Sequence, residues 1–282
     1  MRKLTTLLLV WLTTTAMLAS QGVLQPDTSG SLRFAVIGDF GSGKKPQYDV
    51  GERLSTSRSV FPFEFVVTVG DNLYGSQTPK DFADKFERPY AALLKAGVPF
   101  YAALGNHDDQ ANRFYERFNM RGERYYTHVM KEVRFVVLDS NLMDRAQLAW
   151  AEKVLNEARE VWKIAVFHHP LYSNAGRHGP NVELRVVLEP LLTRYGVSVV
   201  FSGHEHVYER LKPQKGITYF TEGSSGQLRK GDMQPSDSTA AWFDQDQTFM
   251  LVEIEGDQMR FQTLSRMGQV VDSGVITRRP TT

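Results

Sequence analysis

Short apolar runs rich in β-branched and aromatic residues alternate with stretches of helical periodicity along most of this chain. The runs Phe34 to Ile37, Phe65 to Val69, Phe100 to Leu104, Ile164 to Phe167 and Val197 to Phe201 show no polar alternation, the pattern of strands buried on both faces. Tyr125 to His128 and Val133 to Leu138 read as two neighbouring strands. Helices are predicted over 48–58, 80–95, 112–118, 144–161 and 181–195. The fourth is the clearest, with Leu148, Ala151, Val154 and Leu155 at helical spacing behind Asp144 as N-cap. Beyond Gly216 the pattern turns mostly to strands, over 217–221, 249–254, 259–264 and 270–277, with Glu255 to Gln258 as a hairpin turn. Gly223 to Asp246 is polar and reads as a long loop. The alternation has no repeat and no low-complexity break, which predicts a single α/β unit spanning 32–282.

Each of the five apolar runs stops at a polar cluster: Gly38-Asp39, Gly70-Asp71-Asn72, Gly105-Asn106-His107-Asp108, His168-His169-Pro170 and Gly203-His204-Glu205-His206. In open α/β sheets the ligand crevice lies beyond the carboxyl ends of the strands, which is where these clusters fall. Gly-Asp alone is an ordinary turn former. A turn does not need the added imidazole and carboxylate of 105–108, however, and two histidines at i and i+2 can approach one metal centre. Six of the seven histidines lie in or near the clusters, with only His128 outside. Gly38 to Lys45 nearly matches a phosphate-binding loop, but Lys45 replaces its magnesium-binding hydroxyl and Asp39 would face phosphate. Lys44 and Lys45 are therefore expected in solvent.

Composition narrows the class. The chain has 282 residues, 41% of them hydrophobic, and a formal charge of +1, which argues against a general nucleic-acid binder. Arg2 and Lys3 precede a Thr-diluted apolar stretch from Leu4 to Ala19, shorter than a bilayer span. It reads as a signal peptide over 1–22, followed by a linker over 23–31, and predicts a secreted or periplasmic protein. The chain has no cysteine, so core burial and bound metal must replace disulfides.

The ordered set Gly38-Asp39-Phe40-Gly41, Gly70-Asp71-Asn72-Leu73-Tyr74, Gly105-Asn106-His107-Asp108, His168-x-Pro170 and Gly203-His204-x-His206 resembles the metallophosphoesterase superfamily. Tyr74, three residues after Asp71, makes it similar to the purple acid phosphatases, and His168 to Ser173 with His178-Gly179-Pro180 resembles their small, mammalian-type tartrate-resistant branch. The resemblance implies a sandwich of two mixed β-sheets flanked by helices. It also implies a dinuclear metal centre, with Fe(III) at Asp39, Asp71, Tyr74 and His206 and a divalent ion (Fe, Zn or Mn) at Asp71, Asn106, His168 and His204. Two carboxylates and a phenolate suit a trivalent ion, whereas an amide oxygen and two imidazoles suit a divalent one.

The implied reaction is hydrolysis of small phosphate monoesters by in-line attack of a metal-bound hydroxide. In it His107 contacts phosphate, while His178 helps bind phosphate and protonates the leaving oxygen. Asp108 is expected to orient His107, His169 to support the neighbouring ligands, and Glu205 to point away from the ions. Neither stable membrane insertion nor an obligate protein partner is expected. Two alternatives stay open: a phosphodiesterase or nucleotidase on the same fold, and a non-catalytic binding module that uses metal as a staple.

Overall fold

The computed structural model describes residues 24–26 and 30–279, so the expected signal peptide lies outside the described residues. In chain order the first half forms β1 (Leu32–Ile37), α1 (Lys45–Val60), β2 (Phe65–Thr68), α2 (Pro79–Phe82), α3 (Ala91–Lys95), β3 (Phe100–Ala102), β4 (Tyr126–Met130), β5 (Val133–Val137) and α4 (Arg145–Glu157). The second half adds β6 (Trp162–Val166), α5 (Val182–Arg194), β7 (Val199–Ser202), β8 (Tyr208–Leu211), β9 (Thr218–Glu222), β10 (Thr239–Phe243), β11 (Thr248–Glu255), β12 (Gln258–Ser265) and β13 (Val270–Thr277).

These strands build two mixed sheets, the first in the order β13-β12-β11-β1-β2-β3 and the second in the order β10-β8-β9-β7-β6-β5-β4. Phe34 of β1 joins them, stacking on Phe65 of its own sheet at 5.3 Å and meeting Phe135 and Phe201 of the other edge-on at 5.3 and 6.1 Å. Truncating such a fully buried ring to Ala costs about 3–5 kcal/mol. On the outer face of the first sheet, Val50 and Leu54 of α1 share a core with Ala35, Ile37 and Leu251. Outside the second, Ala151 and Leu155 of α4 and Leu184, Leu188 and Leu192 of α5 cover Val136, Ala165 and Val200. Covered on both faces, the parts of β1, β2, β6 and β7 nearest the rim read as apolar runs without alternation.

The sequence pattern and the structure part in a few places. The helix predicted over 80–95 is broken into α2, a π-helical turn over Ala83–Glu87, and α3. Pro89 sits in the gap, where it offers no N–H and its ring excludes the carbonyl four residues back. The 112–118 segment forms two 3-10 turns, Gln110–Phe114 and Glu116–Phe118, closed by Asn119 in the left-handed region at φ 53°. Helix α4 ends at Glu157 rather than Val161, because Ala158 is already extended and Arg134 pins Glu160 through both carboxylate oxygens at 2.7 and 2.8 Å. Strand β10 lies inside the segment expected to be a loop, and β8 was not anticipated. No helix among the described residues is long and apolar enough to cross a membrane.

Strands β1, β2 and β3 run parallel, as do β5, β6, β7 and β9. Their carboxyl ends open onto one rim, where His204 N–H donates to both Asp39 carboxylate oxygens at 3.1 and 3.0 Å.

Candidate metal centre

The rim gathers Asp39, Asp71, Tyr74, Asn106, His168, His204 and His206 into two touching groups. In one, the Tyr74 hydroxyl lies 3.2 Å from Asp39 Oδ1 and 3.0 Å from His206 Nε2, and His206 Nε2 is 3.5 Å from the same Asp39 oxygen. In the other, Asn106 Oδ1 lies 3.0 Å from His168 Nε2 and 2.9 Å from His204 Nδ1, with the two ring nitrogens 3.2 Å apart. Asp71 stands between them. Its Oδ1 is 3.4 Å from His168 Nε2, and its charge, together with that of Asp39, raises the Tyr74 phenol far above the usual range on top of the larger effect of burial.

The backbone is bent to make these approaches. Asp39, Asp71 and His204 occupy the left-handed region at φ 52°, 51° and 71°, a conformation that costs of order 1–3 kcal/mol for a residue with a Cβ. Gly105 and Gly203 supply the clearance. A Cβ at Gly105 would sit 2.2 Å from Asp71 Oδ1, and one at Gly203 would sit 2.3 Å from Asp39 Oδ2.

These donors fit a cation. His168 Nδ1 is 2.9 Å from the Val69 carbonyl, which can only accept, so the proton resides on Nδ1 and the Nε2 lone pair faces Asp71. A lone pair then opposes a carboxylate oxygen in a fully buried place. Asp39 is likewise pushed well above the ordinary carboxylate range, first by burial and then by the charge of Asp71. Burial and neighbouring imidazoles hold His204 down to about 2, and burial with Arg229 holds His206 down to about 3, so both rings present lone pairs rather than protons. Among the described residues, Asp39, Asp71 and His168, and separately His168, His169 and His204, place donor atoms within 4.8 Å of one another.

Three more histidines border the centre. His107 is exposed, its ring 4.7 Å from that of Tyr74, and its N–H donates to Asp71 Oδ1 at 2.9 Å. His178 is also exposed, with its ring 4.3 Å from that of His204, and its pKa is lowered by partial burial and by Arg229 and Arg177. His169 Nδ1 is 2.8 Å from the Ser140 hydroxyl, and its ring lies 4.5 Å from that of His204. His169, Pro170, His178, Pro180, Val182 and His204 line a cleft of about 350 Å³ at this point.

Asp108 departs from expectation. Its oxygens accept from the N–H groups of Asn72, Leu73 and Gly105 at 3.1, 3.0 and 2.8 Å and from the Asn72 and Asn112 amides at 2.8 and 3.3 Å, and they do not hold His107. It ties the loop after β2 to the loop after β3, and burial pushes its carboxyl up to about 7. Lys44 and Lys45 are in solvent as expected, Lys45 pairing with Asp49 at 2.6 Å. Sequence reasoning did not anticipate Ser140, or Arg229, whose guanidinium approaches Glu205 to 3.5 Å. Glu205 does turn away from the donor cluster, into full burial beneath the His178 loop.

A two-sheet sandwich with acids, an amide and imidazoles at one rim is the architecture of a dinuclear phosphoesterase. The chain belongs to the calcineurin-like phosphoesterase family, whose model matches residues 32–208. Within that family it is similar to tartrate-resistant acid phosphatase type 5 of Homo sapiens, at 28% identity over 74% of this chain and 79% of the human one. Its fold is shared by the purple acid phosphatase PPD1 from yellow lupin seeds, with a TM-score of 0.75 at 19% identity over 91% of this chain and 57% of the lupin chain. It is shared as well by GAP50, the anchor in the inner membrane complex of Plasmodium, with a TM-score of 0.77 at 18% identity over 89% of this chain and 90% of that one. The family implies a dinuclear metal site and small phosphate substrates, and the resemblance to purple acid phosphatases holds.

Proposed function

We propose that the chain is an exported acid phosphatase that hydrolyses phosphate monoesters at a dinuclear metal centre. The observation that carries this reading is the pair of donor groups joined at Asp71, one containing a phenol and the other an amide oxygen with two imidazoles. Asp39, Asp71, Tyr74 and His206 would hold Fe(III), and Asp71, Asn106, His168 and His204 would hold a divalent ion, Fe, Zn or Mn. When bound, the ions supply Lewis acidity to the phosphoryl oxygens and lower the pKa of water enough for hydrolysis in acid.

The protein's own groups do the rest. Gly105 and Gly203 let the strand ends close to contact, so the donor atoms are positioned before any ligand arrives. His107, beside Tyr74, meets the phosphate from the edge of the centre. His178, in the mouth of the cleft, meets the ester oxygen and delivers a proton to it. His169, tethered by Ser140, lines the cleft and supports His204. A cleft of about 350 Å³ suits one monoester group. Export rests on the signal-like sequence over 1–22.

Metal analysis of protein purified without chelator, combined with rates on an aryl monoester and its matching diester from about pH 4 to 8, tests the proposal. Two metals per chain and a preference for the monoester in acid are expected. Metal-free protein with full activity, or a preference for the diester, would overturn it.

A further inference from the structure

The loop that carries His178 has almost no regular structure of its own. It is held instead by two buried glutamates that follow the candidate ligand His204 in sequence, Glu205 and Glu209, each about 1% exposed or less. Glu209 takes the near end, accepting from Ser173 Oγ at 3.1 Å, Asn174 N–H at 2.9 Å and the Asn174 amide at 2.7 Å. Glu205 takes the far end, where one oxygen, Oε1, accepts the N–H groups of His178 at 2.9 Å and Gly179 at 2.6 Å. Its other oxygen lies 3.5 Å from the Arg229 guanidinium, and Arg229 N–H in turn donates to the His206 carbonyl at 2.9 Å. The outer side of the loop is laced to the next segment, Gly176 N–H to the Asp232 carbonyl at 2.8 Å and Gln234 N–H to the Asn174 carbonyl at 2.9 Å.

His178 is an exposed side chain, so little packing fixes its ring. Its location over His204 is set by its backbone, and the two N–H bonds to one carboxylate are the nearest constraint on that backbone. The segment Gly203 to His206 therefore does two jobs: His204 and His206 face the donor cluster, while Glu205, on the opposite side of the chain, reaches beneath the loop.

We propose that Glu205 is a positioning residue for proton delivery to the leaving group, holding the backbone of His178 and Gly179 so that the His178 imidazole stands at the mouth of the cleft. This rests on the reading of His178 as proton donor. Losing the anchor displaces the imidazole without removing it, and a displacement of about 1 Å can cost 10²-fold in a positioned step. The loss should fall on esters whose leaving group needs a proton.

The test compares wild type, His178→Ala, Glu205→Ala, the double variant and Glu205→Gln, each with metal content measured, on p-nitrophenyl phosphate and on ethyl phosphate. On ethyl phosphate His178→Ala should lose about 10²-fold in kcat and Glu205→Ala at least about tenfold. On the aryl ester each should lose clearly less than on ethyl phosphate, because a good leaving group needs little protonation. The double variant should be no slower on ethyl phosphate than His178→Ala alone. Glu205→Gln, whose amide oxygen can still accept both N–H groups, should stay within about threefold of wild type.

Equal loss on both esters for Glu205→Ala, or additive losses in the double variant, would overturn the proposal. If His178→Ala itself does not distinguish the esters, the proton-donor reading falls and this inference with it. If His178→Ala distinguishes them and Glu205→Ala does not, the positioning role alone falls. Should Glu205→Ala fail to fold, Glu205→Asp withdraws the carboxylate by one methylene and takes its place in the same comparison.

Discussion

The two sheets bring different chemistry to the shared rim. The first, through the ends of β1, β2 and β3, delivers the oxygen donors Asp39, Asp71, Tyr74 and Asn106. The second, through the ends of β6 and β7, delivers the nitrogen donors His168, His204 and His206. Each ion of the proposed pair would draw donors from both halves. The first includes two buried acids, and Asp39 is pushed well above the ordinary carboxylate range by burial first and then by the charge of Asp71. The second is a set of imidazoles held neutral by burial. An ion between them would serve as a cross-link as well as a reagent, in a chain without cysteine.

The largest test of this division is Asp71, the oxygen donor placed to reach both groups. Asp71→Asn keeps the side-chain shape and removes the charge; activity should fall on the order of 10³-fold or more, with metal analysis showing loss of at least one ion. Full metal content at near-normal activity would mean that the halves do not depend on a shared carboxylate.

Chelation comes next. If metal joins the sheets, its removal should cost about 4 kcal/mol at ion concentrations near a thousand times Kd, or roughly 8–16 °C in Tm for a chain of this size. Amide exchange should quicken at the ends of β1 and β2 as well as β6 and β7. Quickening on one sheet only would break the cross-link picture.

A spectroscopic test then separates the one phenol from the carboxylates of its half. The iron-loaded protein should be coloured by phenolate-to-iron charge transfer, and Tyr74→Phe should lose or strongly shift that band at similar metal content. An active, iron-loaded wild type without the band would rule out Tyr74 as a ligand.

The smallest expected effect concerns His128, an imidazole of the second sheet far from the rim. It lies between Tyr101 and Phe135 at 4.1 and 4.8 Å, and burial followed by Arg121 pushes it down to about 3 from 6.5. The folded ring stays neutral while the unfolded one takes up a proton, so its stabilising contribution is complete above pH 6.5 and is lost as pH falls toward about 3. His128→Phe should make the protein more acid-resistant by on the order of 1–2 kcal/mol at pH 4 relative to neutral pH, read from urea midpoints at the two pH values. An unchanged pH dependence would show that this histidine is solvated, unlike those at the rim.

The rim was legible in the sequence because five mostly apolar runs each stop at a polar cluster that stands out. What stayed hidden depends on contacts distant along the chain. Glu209 is a buried acid in β8, so it interrupts the apolar pattern by which the strand would be recognised, and only its bonds to Ser173 and Asn174 explain it. Strand β10, Thr-Ala-Ala-Trp-Phe, is a sheet edge whose alternation is too weak to separate from its polar surroundings. Asp108 sits next to His107 in sequence, which suggested a partnership, yet its oxygens are taken up by the loop after β2. Pro89 was visible, and there the break in the helix follows from the residue itself.

The left-handed turns at Asp39, Asp71 and His204 limit the alphabet from which this centre can be written. Asparagine, aspartate and histidine tolerate that conformation several-fold better than other residues with a Cβ, and glycine tolerates it best. Glycine offers no donor atom, while glutamate, cysteine and tyrosine, all capable ligands elsewhere, would carry backbone strain as well as a different reach. A search for variants with altered metal preference at these three positions is thus best begun with exchanges among Asp, Asn and His. Wider chemistry is open at Tyr74, Asn106, His168 and His206, where no such turn constrains the choice.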